Sequence, residues 1–378
     1  MDKGQINSEK SEFMAADNND VVLDAIMALV PPLLEALEAL GFVARHMHPP
    51  HLDGLLAQVA GADEAMQAGR AHFASIDWPD DLAPFRAQVE LVADEVTLAF
   101  EGLRAAQADP NGIMVAYRGL RHLSRAAEAL YPISAMLPPV SPYFVEPQAR
   151  GDKELAAKLA DADMGREDAG LRHMSNEKHM RGGFSVYVPE TYDATDPAPL
   201  IIAMHGGSGH GRDFLWTWLA SARTRGAVLI APTSLGPTWS LMEPELDHQN
   251  IMRMIAYVAE QWNIDRERIM LTGMSDGGTF SYVLGLQSGA PFTHLAPVAA
   301  SFHPFLIEMA DSERVKDLPI YITHGALDWM FDADMARVAN RTMTGAGARV
   351  TYREIEDLSH TYPRDENPRI MDWFLLNT

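Results

Sequence analysis

A serine stands at position 275 with a glycine two residues to either side, in the run Gly273-Met274-Ser275-Asp276-Gly277-Gly278. The apolar stretch RIMLT precedes the run, and a helical pattern through Phe280, Val283 and Leu284 follows it. A serine hydroxyl is a weak nucleophile until a positioned base takes its proton, and a tight strand-to-helix turn is one way of exposing it to that base. Glycines suit such a turn because side chains at those positions would strike neighbouring backbone. An ordinary glycine turn has the same composition, but its place between a strand and a helix favours a nucleophile elbow.

The base and its partner should follow in the order serine, acid, histidine, after later strands. Asp328 lies in HGALDWMF, directly after the strand-like run PIYITHG, and His360 lies in EDLSHTYP, after RVTYREI. The imidazole of His360 would take the Ser275 proton and later return it to a leaving group. Asp328 would fix its tautomer and stabilise the imidazolium. Asp332 and Asp334 are alternative acids, Asp357 is too near His360 in sequence to be preferred, and His324 reads as a packed structural histidine. An oxyanion needs amide donors. The run His205-Gly206-Gly207-Ser208-Gly209 follows LIIAM, so Gly206 and Gly207 supply approachable backbone, and the amide of Asp276 is the second expected donor. One such donor contributes ~3 kcal/mol to a transition state. A phosphate-loop reading of these glycines fails because no Lys-Ser/Thr pair follows them.

For the walls of a site the candidates are Trp329, Trp239, Phe302 and His303, with Phe214, Trp216 and Trp218 nearby in sequence. Core packing is favoured for Trp216 and Trp218, and His303 is as suited to a hydrogen-bonded supporting role as to facing the cleft. His46, His48 and His51 form a compact group in HMHPPH, but prolines end a helix there and no carboxylate cluster completes a shell. No metal and no cofactor are expected.

The elements that would carry these residues are legible from Phe184 onward, where FSVYV, LIIAM, AVLIA, RIMLTG, APVAAS, PIYITHG and RVTYREI alternate with helical patterns. Such alternation builds a mostly parallel sheet. Within it Phe184, Val186 and Val188 alternate as in a half-exposed edge strand. Upstream, residues 20–137 read as about four helices, with Pro31 and Pro32 expected to kink or restart the first. Pro132, Pro138, Pro139, Pro142 and Pro147 then break the period. The partition is a flexible N-terminus over 1–19, a helical domain over 20–137, a linker and covering segment over 138–180, and a catalytic domain over 181–378.

Composition narrows the partners. The chain has 378 residues, 47% of them hydrophobic, enough for a sizeable core. Thirty basic against 52 acidic side chains give a formal charge of −22, the wrong sign for nucleic acid. Cysteine is absent, which removes thiolate nucleophiles, thiolate metal sites and disulfides. The apolar stretch starting at Val21 carries Asp24, Pro31, Pro32, Glu35 and Glu38, so neither a signal core nor membrane insertion is expected, and the chain reads as cytoplasmic.

Taken together, HGGSG at His205, IDRERIMLTGMSDGG ending at Gly278, HGALD ending at Asp328 and LSH ending at His360 resemble the α/β-hydrolase superfamily. Within it the likeness is to serine esterases of the phospholipase/carboxylesterase and polyhydroxyalkanoate-depolymerase-like group, over about Arg181 to Thr378. The resemblance implies an α/β fold, an α/β-hydrolase fold with a mostly parallel central sheet, here preceded by an all-α N-terminal domain. It implies a serine carboxylesterase hydrolysing small to medium, mostly uncharged esters through an acyl-enzyme on Ser275. Acyl transfer by the same triad and a non-catalytic binding module on a hydrolase fold are the alternatives. Asp276 departs from the pattern, since many members carry Gln or Ala there. The helical region has no counterpart in the minimal fold. It is expected to mediate homo-oligomer formation and to lean on the site entrance, with a simple stabilising appendage as the alternative.

Overall fold

The structure, a computed structural model, describes residues 19–163 and 165–376, so the expected flexible N-terminus over 1–19 lies, apart from Asn19, outside the described residues. Two compact units divide the chain: Met1–Ala44 with Pro49–Val140, and Arg45–His48 with Ser141–Thr378.

The first unit is helical, with α1 (Lys3–His46), α2 (Leu52–Gln58), α3 (Glu64–Ser75), α4 (Ala83–Ala108), α5 (Gly112–Gly119) and α6 (Arg121–Leu130). Among the described residues these are six helices rather than four, because α3, which follows Gly61 at a left-handed φ of 84°, lies between the second and third expected helices, and the last expected helix breaks at Leu120. Pro31 and Pro32 do not restart α1, which runs through both. A proline inside a helix costs about 3 kcal/mol. Leu29, Leu33, Leu37 and Leu40 recur along one stripe and are fully buried, and at roughly 1.5–3 kcal/mol each their burial offsets the roughly 6 kcal/mol that the two prolines cost together. The packing is close: a Cβ on Gly69 of α3 would fall 2.2 Å from the Ala28 carbonyl oxygen of α1. By length and composition the segment Asn19–His46 would also suffice to cross a membrane, with 39% of its most apolar window buried. A core helix passes the same test of length and composition, and Leu29, Leu33, Leu37 and Leu40 of this one are fully buried.

The second unit holds an eight-stranded sheet in the order β1-β2-β4-β3-β5-β6-β7-β8. Its strands are β1 (Gly170–Met174), β2 (Phe184–Val188), β3 (Ala198–Met204), β4 (Val228–Pro232), β5 (Ile264–Met274), β6 (His294–Val298), β7 (Pro319–Gly325) and β8 (Arg349–Ile355). Among the described residues only the β1–β2 and β2–β4 pairs are antiparallel. The expected mostly parallel sheet after a helical region is thus present, with one strand more than the apolar runs disclosed. β1 lies in the stretch read as a covering segment and contains Arg172 and His173, so it lacks an apolar run; it is half-buried at the sheet edge. Its presence corrects the reading of β2 as an edge strand. Flanked on both sides, β2 is buried along its whole length, Ser185 and Tyr187 included.

Helices α7 (Lys153–Asp161), α8 (Gly211–Arg225), α9 (Glu245–Gln261), α10 (Asp276–Gly285), α11 (Phe305–Met309), α12 (Ser312–Val315), α13 (Ala333–Gly345) and α14 (Asn367–Leu376) complete this unit. Period-two alternation sorts the strand residues between two layers. Leu200, Ile202, Val228, Ile230, Ile269, Leu271, Ile320 and Ile322 share one core with α9, α10 and α13. On the opposite face His294 and Tyr321 meet Trp373 of α14. With both faces covered, the loops at the strand ends are what reaches solvent. β3, β5, β7 and β8 run parallel, so their C-terminal ends, and the residues just after them, emerge at one edge of the sheet.

Candidate active site

Ser275 follows the last residue of β5 and precedes the first of α10, with φ 54° and ψ −118°. That strained conformation is held by the packing around it: the Ser275 amide donates to the Val298 carbonyl at 2.9 Å, and its own carbonyl accepts from the Thr279 amide at 2.8 Å. The flanking glycines are required by contact. A Cβ on Gly277 would lie 2.4 Å from the Met204 carbonyl oxygen, and one on Gly273 would lie 2.5 Å from the Gly277 backbone.

His360 Nε2 is 3.0 Å from Ser275 Oγ, and His360 Nδ1 is 2.8 Å and 3.0 Å from the two carboxylate oxygens of Asp328. The amides of Met330 and Phe331 donate to Asp328 Oδ1 at 2.9 and 2.8 Å. Burial works against ionising this carboxylate, but the hydrogen bond and charge of His360, with the Phe331 amide, hold it below the usual carboxylate range. The ring of Phe331 packs edge-on to His360 at 5.3 Å. The other acids are engaged elsewhere: Asp332 caps α13 through the Asp334 amide, Asp334 pairs with Arg337, and Asp357 pairs with Arg45. His324 is fully buried, donates from Nε2 to the Phe331 carbonyl at 2.8 Å, and sits 3.4 Å from Asp328 Oδ2. It touches the acid as well as the core, a contact its position inside β7 did not reveal.

Beside the serine runs the loop after β3. Register places Met204 opposite Gly273, so the next residues pass alongside Ser275, and a Cβ on Gly206 would be 3.5 Å from Ser275 Cβ. A Cβ on Gly207 would be 2.7 Å from Asp276 Oδ2, whose other contact is the Thr238 hydroxyl. Gly206, Gly207 and Asp276 are therefore gathered around the nucleophile. His205 braces this loop: its Nδ1 donates to the Gly206 carbonyl at 2.7 Å, and its Nε2 accepts from the Ser234 amide at 3.2 Å. Burial pushes its imidazole down to about 3, the Gly206 hydrogen bond opposing. Arg181 adds a tie between the same loops, donating to the carbonyls of Gly209 at 2.7 Å and Ser234 at 3.1 Å.

The candidate wall residues separate. Trp239 is 2% exposed, stacks on Phe280 at 5.4 Å and donates its indole N–H to the His205 carbonyl at 2.7 Å. It is a prop beneath the loop rather than a wall. Phe302 is buried against Tyr282 at 5.2 Å and likewise belongs to the core. His303 is exposed and accepts the Phe305 amide at the start of α11. Trp329, next to Asp328, is 42% exposed and remains available to a substrate. Trp216 and Trp218 are buried core residues. Among the described residues no three metal-ligating side chains gather. His46 and His48 instead face the loop of His360, at Asp357 Oδ2 (3.6 Å) and Ser359 Oγ (3.0 Å).

A model of the dienelactone hydrolase family matches residues 167–372. A bifunctional acetylxylan esterase/xylanase of Neocallimastix patriciarum is 24% identical over 203 residues, 51% of this chain and 28% of that protein. A probable feruloyl esterase C of Aspergillus niger is 27% identical over 128 residues, 32% of this chain and 47% of that one. The chain thus spans less than half the length of either relative. Among solved structures, a thermostable esterase aligns over 55% of this chain and 63% of its own at 20% identity and a TM-score of 0.46. Esterase PE8 aligns over 50% and 96% at 17% identity and a TM-score of 0.41.

Proposed function

The chain belongs to the dienelactone hydrolase family, and from that premise we propose that it is a serine carboxylesterase acting on small to medium, uncharged esters. The observation that carries this reading is the unbroken contact from Asp328 through His360 to Ser275, at 2.8 and 3.0 Å. In the proposed reaction His360 Nε2 removes the Ser275 proton as Oγ attacks the ester carbonyl. The oxygen of the tetrahedral intermediate is held by backbone amides of Gly206 or Gly207 and of Asp276, the last at the N-terminus of α10. Collapse breaks the bond to the alkoxy group, which leaves as the alcohol after taking the proton from His360. Water, deprotonated by the same imidazole, then releases the acid and restores Ser275. Exclusion of anionic esters is supported by the Asp276 carboxylate beside Gly207, and the uncharged class by the acetyl and feruloyl esters in the names of the two relatives.

Turnover of a panel of p-nitrophenyl esters, with Ser275→Ala in parallel, tests the reading. The variant should stay folded and lose turnover by about 10⁴-fold or more, and a serine-directed phosphonate should add mass to the peptide holding Ser275. Wild-type rates in Ser275→Ala would end it. Self-association through the helical unit and a cytoplasmic location complete the proposal. The first is supported by Leu23 and Met27 of α1, about half exposed at 55% and 54%, and the second by Asp24, Glu35 and Glu38, which interrupt the apolar stretch starting at Val21. Cell fractionation tests the location, and recovery in the membrane fraction would overturn it.

A further inference from the structure

Four residues from far outside the family match are part of the hydrolase unit: Arg45–His48, at the end of α1 and just after it. Arg45, His46 and His48 all make contacts there with the loop that carries His360. The Arg45 guanidinium pairs with Asp365 at 2.8 Å and Asp357 at 3.1 Å, one carboxylate on each side of the histidine in sequence. The two chain neighbours of His360 are held as well. The Thr361 hydroxyl donates to the Arg45 carbonyl at 2.9 Å, and His48 Nδ1 is 3.0 Å from the Ser359 hydroxyl. Ser359 Oγ in turn reaches the Leu327 carbonyl at 3.3 Å, and the Leu327 amide donates to the Leu358 carbonyl at 2.9 Å, beside Asp328. Arg45 is 13% exposed at its side chain, whereas Asp357 and Asp365 are about 60% exposed at 62% and 61%.

An exposed ion pair contributes little to stability. Two carboxylates gathered by one largely buried guanidinium, on a loop whose middle residue must meet Ser275 Oγ at 3.0 Å, do something different: they restrict where that residue can go. We propose that Arg45–His48 is a positioning segment for His360, with Arg45 as its principal residue, acting through Asp357, Ser359, Thr361 and Asp365 and never touching substrate. The assignment rests on the reading of His360 as the base. A misplacement of about 1 Å in such a group costs on the order of 100-fold in rate, so the segment bears on kcat rather than on substrate affinity.

The test uses the full chain carrying Arg45→Met, Arg45→Lys, or Asp357→Asn with Asp365→Asn. The paired asparagine changes sit on exposed side chains and keep the question open to measurement if Arg45→Met fails to fold. Two quantities are read: kcat and KM on a neutral p-nitrophenyl ester, and the downfield proton resonance of His360 Nδ1–H, assigned by its loss in His360→Gln. The expected result is a kcat about 10- to 100-fold lower in Arg45→Met and in the paired variant, with KM within about twofold. The His360 resonance should broaden or shift in both, and Arg45→Lys should recover most of each quantity. A folded Arg45→Met, or failing that a folded paired variant, with kcat within twofold of wild type and an unmoved resonance would overturn the proposal. If wild type hydrolysed no ester while the resonance still responded to Arg45, the functional reading would fall and the positioning would stand.

Discussion

Asp276 sets a carboxylate against the loop at Gly207, within a residue of where an oxyanion would form. At an effective dielectric near 20, a like charge roughly 8 Å away is opposed by about 2 kcal/mol, or about 30-fold in kcat/KM. Asp276→Asn should therefore raise the kcat/KM of a p-nitrophenyl hemisuccinate relative to its neutral butyrate counterpart by about that factor. An unchanged ratio would show that the carboxylate does not select substrates. Asp328 makes the opposite contribution. Its pKa is depressed, so its favourable charge is present above the ordinary carboxylate value and is lost only as pH falls through the lowered one. Across neutral and mildly acidic pH it stays ionised, and Asp328→Asn should lower kcat by about 10⁴-fold at every pH between 5 and 8. A variant that recovered wild-type turnover anywhere in that window would remove Asp328 from the acid role.

The loop after β3 is held by its own buried histidine. Because burial takes His205 from an ordinary 6.5 to about 3, the unfolded chain binds a proton there that the folded one does not. Stability consequently falls as pH drops from about 6.5 toward 3. Over pH 7 to 5 the expected loss is about 2 kcal/mol, and His205→Asn should lack it. Urea unfolding of both proteins at the two pH values checks this, and parallel slopes would place the pH sensitivity elsewhere. Trp239 supports the same loop from below through its bond to the His205 carbonyl. Removing one such hydrogen bond, as in Trp239→Phe, should lower stability by about 1 kcal/mol or more, measurable in the same unfolding experiment.

At the scale of the whole chain, the end of α1 belongs to the hydrolase unit, so any truncation starting near Gly151 removes Arg45–His48 along with the helices. Loss of activity in such a truncation would not by itself speak to self-association. Point changes on α1 separate the two. Leu23 and Met27 are four residues apart and exposed, so Leu23→Lys with Met27→Lys disturbs a single apolar strip. Light scattering should show a smaller assembly in this variant while kcat per chain is maintained. An unchanged mass would leave the helices without a role in association.

What the chain determines by itself is local. Glycine spacing around Ser275, apolar runs of strand length and the order serine, acid, histidine are short-range patterns, and they are enough to announce the elbow, seven of the strands and the three residues that meet at its edge. Tertiary packing decided the rest. β1 has no apolar run, because an edge strand needs only backbone pairing and a half-buried face, so its sequence resembles a loop. The same pairing turned β2 from an edge into an interior strand. Trp239 and Trp329 are the same residue type in loops that follow strands, β4 and β7, yet one is buried under the His205 loop and the other is exposed. An indole serves a core or a wall equally well, and only the surrounding atoms choose. The grip of Arg45 on Asp365 joins residues 320 apart. A salt bridge has no sequence period, so a contact of that range becomes visible only when the fold brings its two ends together.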